Sequence, residues 1–304
     1  MHDHDYSHHG HSHAPADFGR AFAIGISLNL AYVVAQIVFG IAAHSLALLA
    51  DAGHNFGDVL GLGAAWGASY LATKTPTERY TYGMRKTSVL AALGNAIFLL
   101  VAVGGITWEA IRRFSEHQPV EGKTVMLVAA VGIVINAATA WLFMSGRKGD
   151  LNIKGAFLHM AADAVVSAGV VVAGLIIIFT GWQWIDPTVS LVINAVIVAG
   201  TWSLLRDSFN LSIDAVPEGM DMGKIKRHLT EQSGVTAVHD LHVWAMSTTE
   251  TALTAHLVIP EASVDDAFLT EICEELHEKF KIGHSTIQIE RGDAECKQEP
   301  ENVV

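Results

Sequence analysis

Six long apolar segments constrain the fold of this chain more than any other feature of its sequence. A helix needs about 20 mostly apolar residues to cross a bilayer. The segments that meet this length cover approximately residues 19–42, 46–72, 87–111, 124–145, 155–180 and 184–206. Because backbone polar groups must be paired inside a bilayer, the pattern predicts an all-α bundle of six membrane-spanning helices.

The distribution of charge separates these segments from the rest of the chain. Charged residues make up 16% of the sequence, against about 25% in soluble globular proteins. Residues 1–206 contain twelve acidic and twelve basic residues, whereas residues 207–304 contain nineteen acidic and seven basic ones. We therefore expect a neutral membrane domain followed by an acidic soluble domain, a charge balance that disfavours nucleic acid and suits cations.

Lysine and arginine positions predict the orientation in the membrane. Three basic residues fall on the side opposite the termini, namely Arg112, Arg113 and Lys123. Nine fall on the side shared by both termini, namely Arg20, Lys74, Arg79, Arg85, Lys86, Arg147, Lys148, Lys154 and Arg206. By the positive-inside rule both termini are cytoplasmic. Since no organelle signal is visible, we expect a multi-pass protein of the cell (inner or plasma) membrane.

The last third of the chain predicts a small α+β domain. A helix near 220–232 is followed by strands at 235–246 and 251–259, a helix at 263–280 and a strand at 284–291. This αββαβ order is typical of one sheet with helices on one face. The predicted organisation is a His-rich tail (1–17), a membrane domain (18–208), a cytoplasmic metallochaperone-like domain (209–292) and a disordered tail (293–304).

Two pairs of ionisable residues interrupt the apolar segments with the same spacing. His54 and Asp58 lie four residues apart in the second span, and His159 and Asp163 repeat this spacing in the fifth. Residues four apart share one helical face. Ionisable groups at the bilayer centre cost roughly 2.5–3.5 kcal/mol each and rarely persist without a function. Two histidines and two carboxylates fit a tetrahedral Zn²⁺ site, with Cd²⁺ or Co²⁺ as close relatives.

The charges of this set suggest an exchange of protons for metal. Two aspartates and one Zn²⁺ sum to zero, and protons can take the place of the cation because ligands must be deprotonated to bind it. A lone intramembrane histidine is often only a hydrogen-bonding partner between helices, but the duplicated spacing favours a site. Asp51 shares the face of His54, and it either lines a water-filled entrance or packs against polar groups of a neighbouring helix. For Asn29 and Asn136, helix–helix hydrogen bonding is the better interpretation.

These residues resemble the cation diffusion facilitator family. The resemblance is carried by HSLALLADAGHNFGD, LNIKGAFLHMAAD, HDLHVW and HSTIQIE in this order, and it covers approximately residues 18–292. It implies a homodimeric metal–proton antiporter, no enzymatic activity, and a transport site built by the four residues above. The His and Asp pairs are similar to the zinc-preferring branch of the family, so Zn²⁺ is the expected substrate.

The resemblance also implies a second metal site and an ion pair outside the bilayer. In the cytoplasmic domain the matching ligands are His239, His256, His284 and Glu290. His242 and His277 are poorer candidates, and Cys296 is a further one. An interlock of the dimer is implied for Lys86 and Asp214. The loop TERYTYGMRK lacks the ligands of an additional site that some members carry. The N-terminal histidines either collect zinc or form a dispensable tail; they are His2, His4, His8, His9, His11 and His13.

Two other classes compete with a transporter. A membrane-embedded metalloenzyme needs an open coordination position and a nearby acid or base. The sequence has no HExxH, P-loop or GxSxG motif, and all four intramembrane residues are used as ligands. A metal sensor would not need a saturated site within the bilayer. Alternating access, with spans one, two, four and five tilting against three and six, is therefore the expected mechanism.

Overall fold

Six long helices precede a small domain of two helices and one three-stranded sheet in the computed structural model. The structure describes residues 19–116, 118–144, 151–260, 265–292 and 296. The predicted terminal tails lie outside these residues, except for Cys296. The long helices are α1 (Gly19–Ala42), α2 (Leu46–Ala72), α3 (Thr87–Arg113), α4 (Gly122–Met144), α5 (Leu151–Thr180) and α6 (Ile185–Ser212). Each corresponds to one predicted span, so the prediction of a helical membrane domain is confirmed.

Four of these helices, α3 to α6, are long and apolar enough to cross a membrane by themselves. In α1, the described apolar stretch is shorter and covers Ile26–Ala42. The helix α2 is as long as α3, but Asp51, His54, Asn55 and Asp58 lower its mean hydropathy. Such polar residues are stable within a membrane only if hydrogen bonds or opposite charges from the rest of the protein offset their loss of hydration.

The chain divides into two compact units that cut across three of the long helices. One consists of Met1–Val59 and Val103–Ala195, and the other of Leu60–Ala102 and Val196–Val304. The first therefore contains α1, α4 and α5 with parts of α2, α3 and α6. The second contains the remaining parts of these helices and the whole soluble domain.

Glycines allow close contact between the helices of the first unit. A Cβ atom at Gly122 would lie 2.9 Å from the carbonyl oxygen of Gly174, and one at Gly132 would lie 1.9 Å from the Tyr32 hydroxyl. The missing side chains thus bring α4 against α5 and against α1. Small residues at such interfaces are the usual basis of close helix packing in membranes.

A buried carboxylate fixes the beginning of α2. Asp186, in the first turn of α6, accepts hydrogen bonds from the Ser45 hydroxyl and from the backbone N–H groups of Leu46 (2.6 Å) and Ala47 (3.3 Å). The first N–H groups of a helix have no partner within the helix, and the helix dipole favours an anion there. Asp186 therefore holds α2 against α6 within the first unit.

The soluble domain has the predicted αββαβ order. Its elements are α7 (Met222–Thr230), β1 (Ala237–Ala245), β2 (Thr251–Val258), α8 (Asp266–Phe280) and β3 (Ile282–Glu290). The sheet has the order β1-β2-β3, with β1 antiparallel and β3 parallel to β2. The prediction of an α+β domain with one sheet is confirmed.

The two faces of this sheet have different surroundings. Leu253, Ala255 and Leu257 alternate along β2 and join the core formed with Ile225 of α7 and Ile272 of α8. Because successive side chains of a strand point to opposite faces, His256 lies on the face away from this core. The sheet thus places the predicted histidine ligands on the face that the helices leave open.

Substitution of Gly132 tests the packing of α1 against α4. We expect Gly132→Ala to destabilise the protein by about 1–3 kcal/mol because the added methyl group overlaps the buried Tyr32 side chain. Gly169→Ala in α5 is the matched control, since a Cβ atom there meets no atom within 4 Å. The measurement is the thermal unfolding midpoint in detergent. Equal midpoints for the two variants would contradict this packing.

Candidate metal centre

Two helices bring the four predicted transport-site residues together. His54 and Asp58 lie on α2, and His159 and Asp163 lie on α5. Between the helices, His159 Nε2 lies 3.1 Å from Asp58 Oδ2, and His54 Nε2 lies 3.4 Å from Asp163 Oδ1. Within each helix, the His–Asp distances are 3.9 Å on α2 and 3.6 Å on α5. The repeated spacing therefore produces one cluster rather than two separate pairs.

The separations between these side chains are close to the spacing of ligands around a tetrahedral zinc ion. Nitrogen and oxygen ligands lie about 2.0 Å from zinc, so in a tetrahedron they lie about 3.3 Å from each other. The four closest contacts of the cluster range from 3.1 to 3.9 Å. Its two imidazole rings are 5.8 Å apart and nearly perpendicular. Asp58, His159 and Asp163 each have one ligand atom within 4.8 Å of the others, whereas His54 contacts Asp58 and Asp163 through different ring nitrogens.

Burial differs among the four side chains. Asp163 is 2% exposed, whereas His54 and Asp58 are about one-quarter exposed and His159 is 40% exposed. In α2, Asp58 follows His54 toward the end of the helix, and in α5, His159 precedes Asp163. The most exposed residue, His159, and its partner Asp58 therefore lie on the same end of the cluster. This end leads toward the C-terminus of α2 and the N-terminus of α5.

The surrounding polar residues resolve the two interpretations of Asp51. This residue is completely buried, and its carboxylate accepts a hydrogen bond from Gln36 of α1. It therefore does not line an open entrance. Asn29 and Asn136 are also buried, but among the described residues neither the Asn136 amide nor Asn29 Oδ1 has a hydrogen-bond partner, which does not support the predicted hydrogen bonding between helices. Gln36 was not identified from the sequence, although it is itself a polar residue within an apolar span.

A second cluster forms on the open face of the soluble domain. His239 of β1 and His256 of β2 are paired directly in the antiparallel register. Glu290 of β3 lies two residues beyond Gln288, which is beside His256 in the parallel register. The Glu290 carboxylate oxygens lie 3.1 Å from His239 Nε2 and 3.0 Å from His256 Nδ1. The sheet register thus brings together three of the four predicted ligands.

Cys296 completes this group of four potential ligands. Its Sγ atom lies 3.8 Å from His256 Nδ1, and its thiol also interacts with Glu290. Partial burial acts to raise the pKa of Glu290, but hydrogen bonds from Cys296 and Gln288 and the two nearby histidines lower it below its usual range. A carboxylate that stays ionised, a thiol and two imidazoles form a donor set that fits zinc.

His284 does not belong to this cluster. The prediction that it lies beside the other three ligands is therefore wrong within a single chain. It pairs with Ala252, six residues before Glu290 in β3, which corresponds to about 20 Å along a strand. Its ring instead packs edge to face on Tyr82, with 5.5 Å between the ring centroids. The family resemblance indicated histidine as the type of ligand, but the register of β3 determines how far His284 lies from Glu290.

Asp240 was missed by the sequence analysis. The register of β1 against β2 shifts between His239 and His242, and Asp240 takes a left-handed conformation there with φ of 48°. Its carboxylate oxygens lie 3.2 Å from His256 Nε2 and 2.9 Å from His242 Nε2. A β-bulge reorients side chains in this way, and no residue spacing predicted it.

The predicted ion pair at the membrane boundary forms within one chain. The Lys86 ammonium group contacts the Asp214 carboxylate. Beside it, Arg85 Nη1 lies 2.7 Å from Glu250 Oε2, and Thr248 N donates to the Ser88 hydroxyl at 3.1 Å. The beginning of α3 is therefore linked to the end of α6 and to the turn between β1 and β2.

Two consecutive parts of the chain match known families of protein domains. Residues 22–211 match the cation efflux transmembrane domain, and residues 217–292 match the cation efflux protein cytoplasmic domain. The chain is 33% identical over 298 residues to the metal cation efflux system protein CzcD of Cupriavidus metallidurans, covering 98% of this chain and 91% of the relative. It is 36% identical over 271 residues to the zinc transporter ZitB of Escherichia coli, covering 88% and 86%.

A further relative and a solved domain structure are also similar to this chain. A cadmium, cobalt and zinc/H(+)-K(+) antiporter of Bacillus subtilis is 33% identical over 276 residues, which cover 89% of this chain and 88% of the relative. A solved structure of the metal-bound C-terminal domain of the Cupriavidus CzcD transporter is 34% identical. It covers 23% of this chain and 99% of its own, with a TM-score of 0.22. The chain therefore belongs to the cation diffusion facilitator family, whose members are membrane transporters for divalent metal efflux and not enzymes.

Proposed function

We propose that this protein exports Zn²⁺ in exchange for protons through the site formed by His54, Asp58, His159 and Asp163. The observation that carries the proposal is the convergence of these four side chains from α2 and α5, with His–Asp contacts of 3.1 to 3.9 Å. A transport site needs ligands that bind the cation within the bilayer and release it again. Histidine and aspartate meet this need because protons compete for the same atoms.

The charges of the site support exchange rather than simple binding. With Zn²⁺ bound, the two aspartates neutralise the ion, so the loaded site carries no net charge through the membrane. When the ion leaves, two unpaired carboxylates remain in apolar surroundings, which is costly unless protons return. Metal and protons therefore alternate on one set of atoms. Outward movement of metal is coupled to inward movement of protons.

The differing burial of the ligands supports alternating access. With both termini in the cytoplasm, the end of the cluster formed by Asp58 and His159 faces the cytoplasm, where His159 is the most exposed of the four residues and Asp163 is shielded. Zn²⁺ from the cytoplasm reaches the ligands from this end. A tilt of α1, α2, α4 and α5 against α3 and α6 then exposes the site on the opposite side.

The identity of the metal follows from the ligands and the relatives. Two imidazoles and two carboxylates suit Zn²⁺ and, to a smaller degree, Cd²⁺ and Co²⁺. The relatives are named for zinc, or for cadmium, cobalt and zinc. One of them is named as an antiporter for protons, in line with the proposed counter-ion.

The soluble domain contributes a regulatory metal site and a dimer contact in this proposal. His239, His256, Glu290 and Cys296 have ligand atoms within 4.8 Å of one another, and they would hold a zinc ion that the membrane site does not transport. Binding there by two paired domains of a homodimer would favour the transport-competent conformation. The membrane domain would span residues 18–208, and the soluble domain residues 209–292.

Zinc flux into proteoliposomes tests the antiport and its site together. An acidic lumen drives protons out, so we expect zinc to accumulate inside and to be detected by an enclosed fluorescent zinc dye. An alkaline lumen should give no accumulation. Asp163→Ala should abolish this flux because the site loses a ligand and a proton-binding group.

Asp207→Ala is the matched control for this flux measurement. It also removes a carboxylate from a long helix, but Asp207 pairs with Arg206 at 3.5 Å and is not one of the four proposed ligands. We expect it to retain transport. Transport by Asp163→Ala at the rate of the unmodified protein would refute the proposed transport site. Zinc accumulation that does not depend on the pH gradient would refute the proton antiport.

The zinc stoichiometry of the full-length protein tests the soluble-domain site. We expect His256→Ala to lose one bound zinc ion per chain in isothermal titration calorimetry, since His256 contacts both Glu290 and Cys296. His228→Ala is the control, because His228 is equally part of this domain but pairs with Glu275 at 2.9 Å. An unchanged stoichiometry in His256→Ala would exclude the site.

Exchange of the charges at Lys86 and Asp214 tests their ion pair. The single variants Lys86→Asp and Asp214→Lys place like charges together, so we expect each to reduce transport or the dimer fraction. The double variant restores opposite charges and should recover what either single variant loses. Transport and light scattering provide the two measurements. A double variant no better than the single ones would show that the pair has no such role.

A further inference from the structure

A buried polar network lies next to the proposed transport site and is not part of it. It consists of Tyr32 and Gln36 of α1 and Asp51 and Asn55 of α2, which we call the Gln36 network. Gln36, Asp51 and Asn55 are completely buried, and Tyr32 is 2% exposed. Buried polar groups within an apolar helix bundle are expensive unless they are hydrogen-bonded, so this set needs a structural or functional explanation.

Gln36 is the central member of the network. Its Nε2 atom donates to Asp51 Oδ2 and, at 2.9 Å, to the Tyr32 hydroxyl. Its Oε1 atom accepts from Asn55 Nδ2 at 3.2 Å. Tyr32 in turn donates to the carbonyl oxygen of Val128 at 3.4 Å. All hydrogen-bonding groups of the Gln36 side chain are thus used to connect α1 to α2, and Tyr32 extends the connection to α4.

Two members of the network, Asp51 and Asn55, flank His54 on α2. Asp51 lies three residues before His54 on the same face, and Asn55 follows His54 directly. Asp51 also interacts electrostatically with His54 and, across the helices, with Asp163. Any displacement of Asp51 or Asn55 would therefore move or reorient one of the four ligands.

The chemical identity of Asp51 argues against a purely structural role. An asparagine could accept the same hydrogen bond from Gln36 without the cost of burying a carboxylate. The hydrogen bond to Asp51 Oδ2 comes from the neutral Gln36 side chain, Asp51 Oδ1 has no hydrogen-bond partner, and no lysine or arginine compensates the carboxylate among the described residues. A negative charge at this place is favourable when a cation occupies the neighbouring cluster, because attraction between charges is strong in buried surroundings.

We propose that Asp51 and Gln36 are positioning residues that set the metal affinity and selectivity of the transport site. This inference rests on the proposed function of the four-residue cluster. Gln36 holds α2 against α1 at the level of His54, and the Asp51 charge favours the bound cation. Residues that orient metal ligands typically contribute 10–100-fold to metal affinity. Selectivity between similar metals depends on the geometry that such residues maintain.

Zinc and cadmium titrations of the full-length protein test this inference. They are made with the His256→Ala variant, in which the soluble-domain site is disabled, so that the titrations measure metal binding to the membrane site. We expect Asp51→Asn to weaken zinc binding about 10–100-fold and to change the ratio of zinc to cadmium affinity. In transport, the zinc concentration at half-maximal rate should rise by a similar factor, while the rate at saturating zinc changes much less. Gln36→Leu should have the same effects without altering a charge.

The control is a buried polar contact elsewhere in the same unit. Asn194 of α6 is 2% exposed and donates to the Thr107 hydroxyl of α3 at 2.9 Å. Asn194→Leu removes a buried hydrogen bond as Gln36→Leu does, and we expect it to leave zinc affinity and selectivity unchanged. If Asn194→Leu weakens zinc binding as much as Gln36→Leu, a general loss of stability explains the effect and the inference is overturned.

The result for Asp163 separates this inference from the function on which it rests. If Asp163→Ala still transports zinc, the proposed site fails, whatever Asp51→Asn does. If Asp163→Ala abolishes transport while Asp51→Asn keeps the affinity and metal ratio of the unmodified protein, the transport site stands and the positioning role of Asp51 is refuted.

Discussion

Burial of ionisable groups among apolar helices is the constraint on which the membrane part of this protein depends. His54, Asp58, His159 and Asp163 would each destabilise an isolated span, yet two helices place them within contact distance of one another. In the proposed mechanism, a cation at their centre would offset the cost of their burial, and protons would offset it after the cation leaves. Exchange of metal for protons would therefore keep the proposed site neutral in both states.

The helices can meet at this site because several other positions hold them there. Gly122 and Gly132 let α4 approach α5 and α1, and Asp186 fixes the first turn of α2. The Gln36 network then connects α1 to α2 beside the ligands. These contacts use small residues and hydrogen bonds, since the hydrophobic effect gives little preference for contact between helices over contact with lipid. Ligand geometry is therefore supported by polar interactions that lie outside the ligand set.

Helical periodicity explains why so much of the membrane part could be predicted. Spacing by four residues determines that His54 and Asp58 share a face, and apolar length determines the spans. The αββαβ order likewise followed from alternating apolar positions. The approach of α2 to α5 depended on the duplicated motif and on the family resemblance, because spacing within one helix contains no information about its neighbour.

Features that depend on register or tertiary contact were not predictable in this way. His284 has the right residue type but the wrong position in β3, and Asp240 reaches His256 only through a β-bulge. Gln36 is one of several polar residues of α1, and its role becomes visible only when α2 lies beside it. In each case the local sequence is compatible with several environments, and the packing of distant segments selects one.

The zinc coordination of the membrane site is the most direct test of this account. X-ray absorption at the zinc edge should be measured on the zinc-loaded His256→Ala protein, in which the soluble-domain site is disabled. The account predicts four nitrogen and oxygen ligands at about 2.0 Å, with imidazole scattering that decreases when His54 is also replaced. Coordination by sulfur at about 2.3 Å, a six-coordinate oxygen shell, or the absence of bound zinc would contradict it.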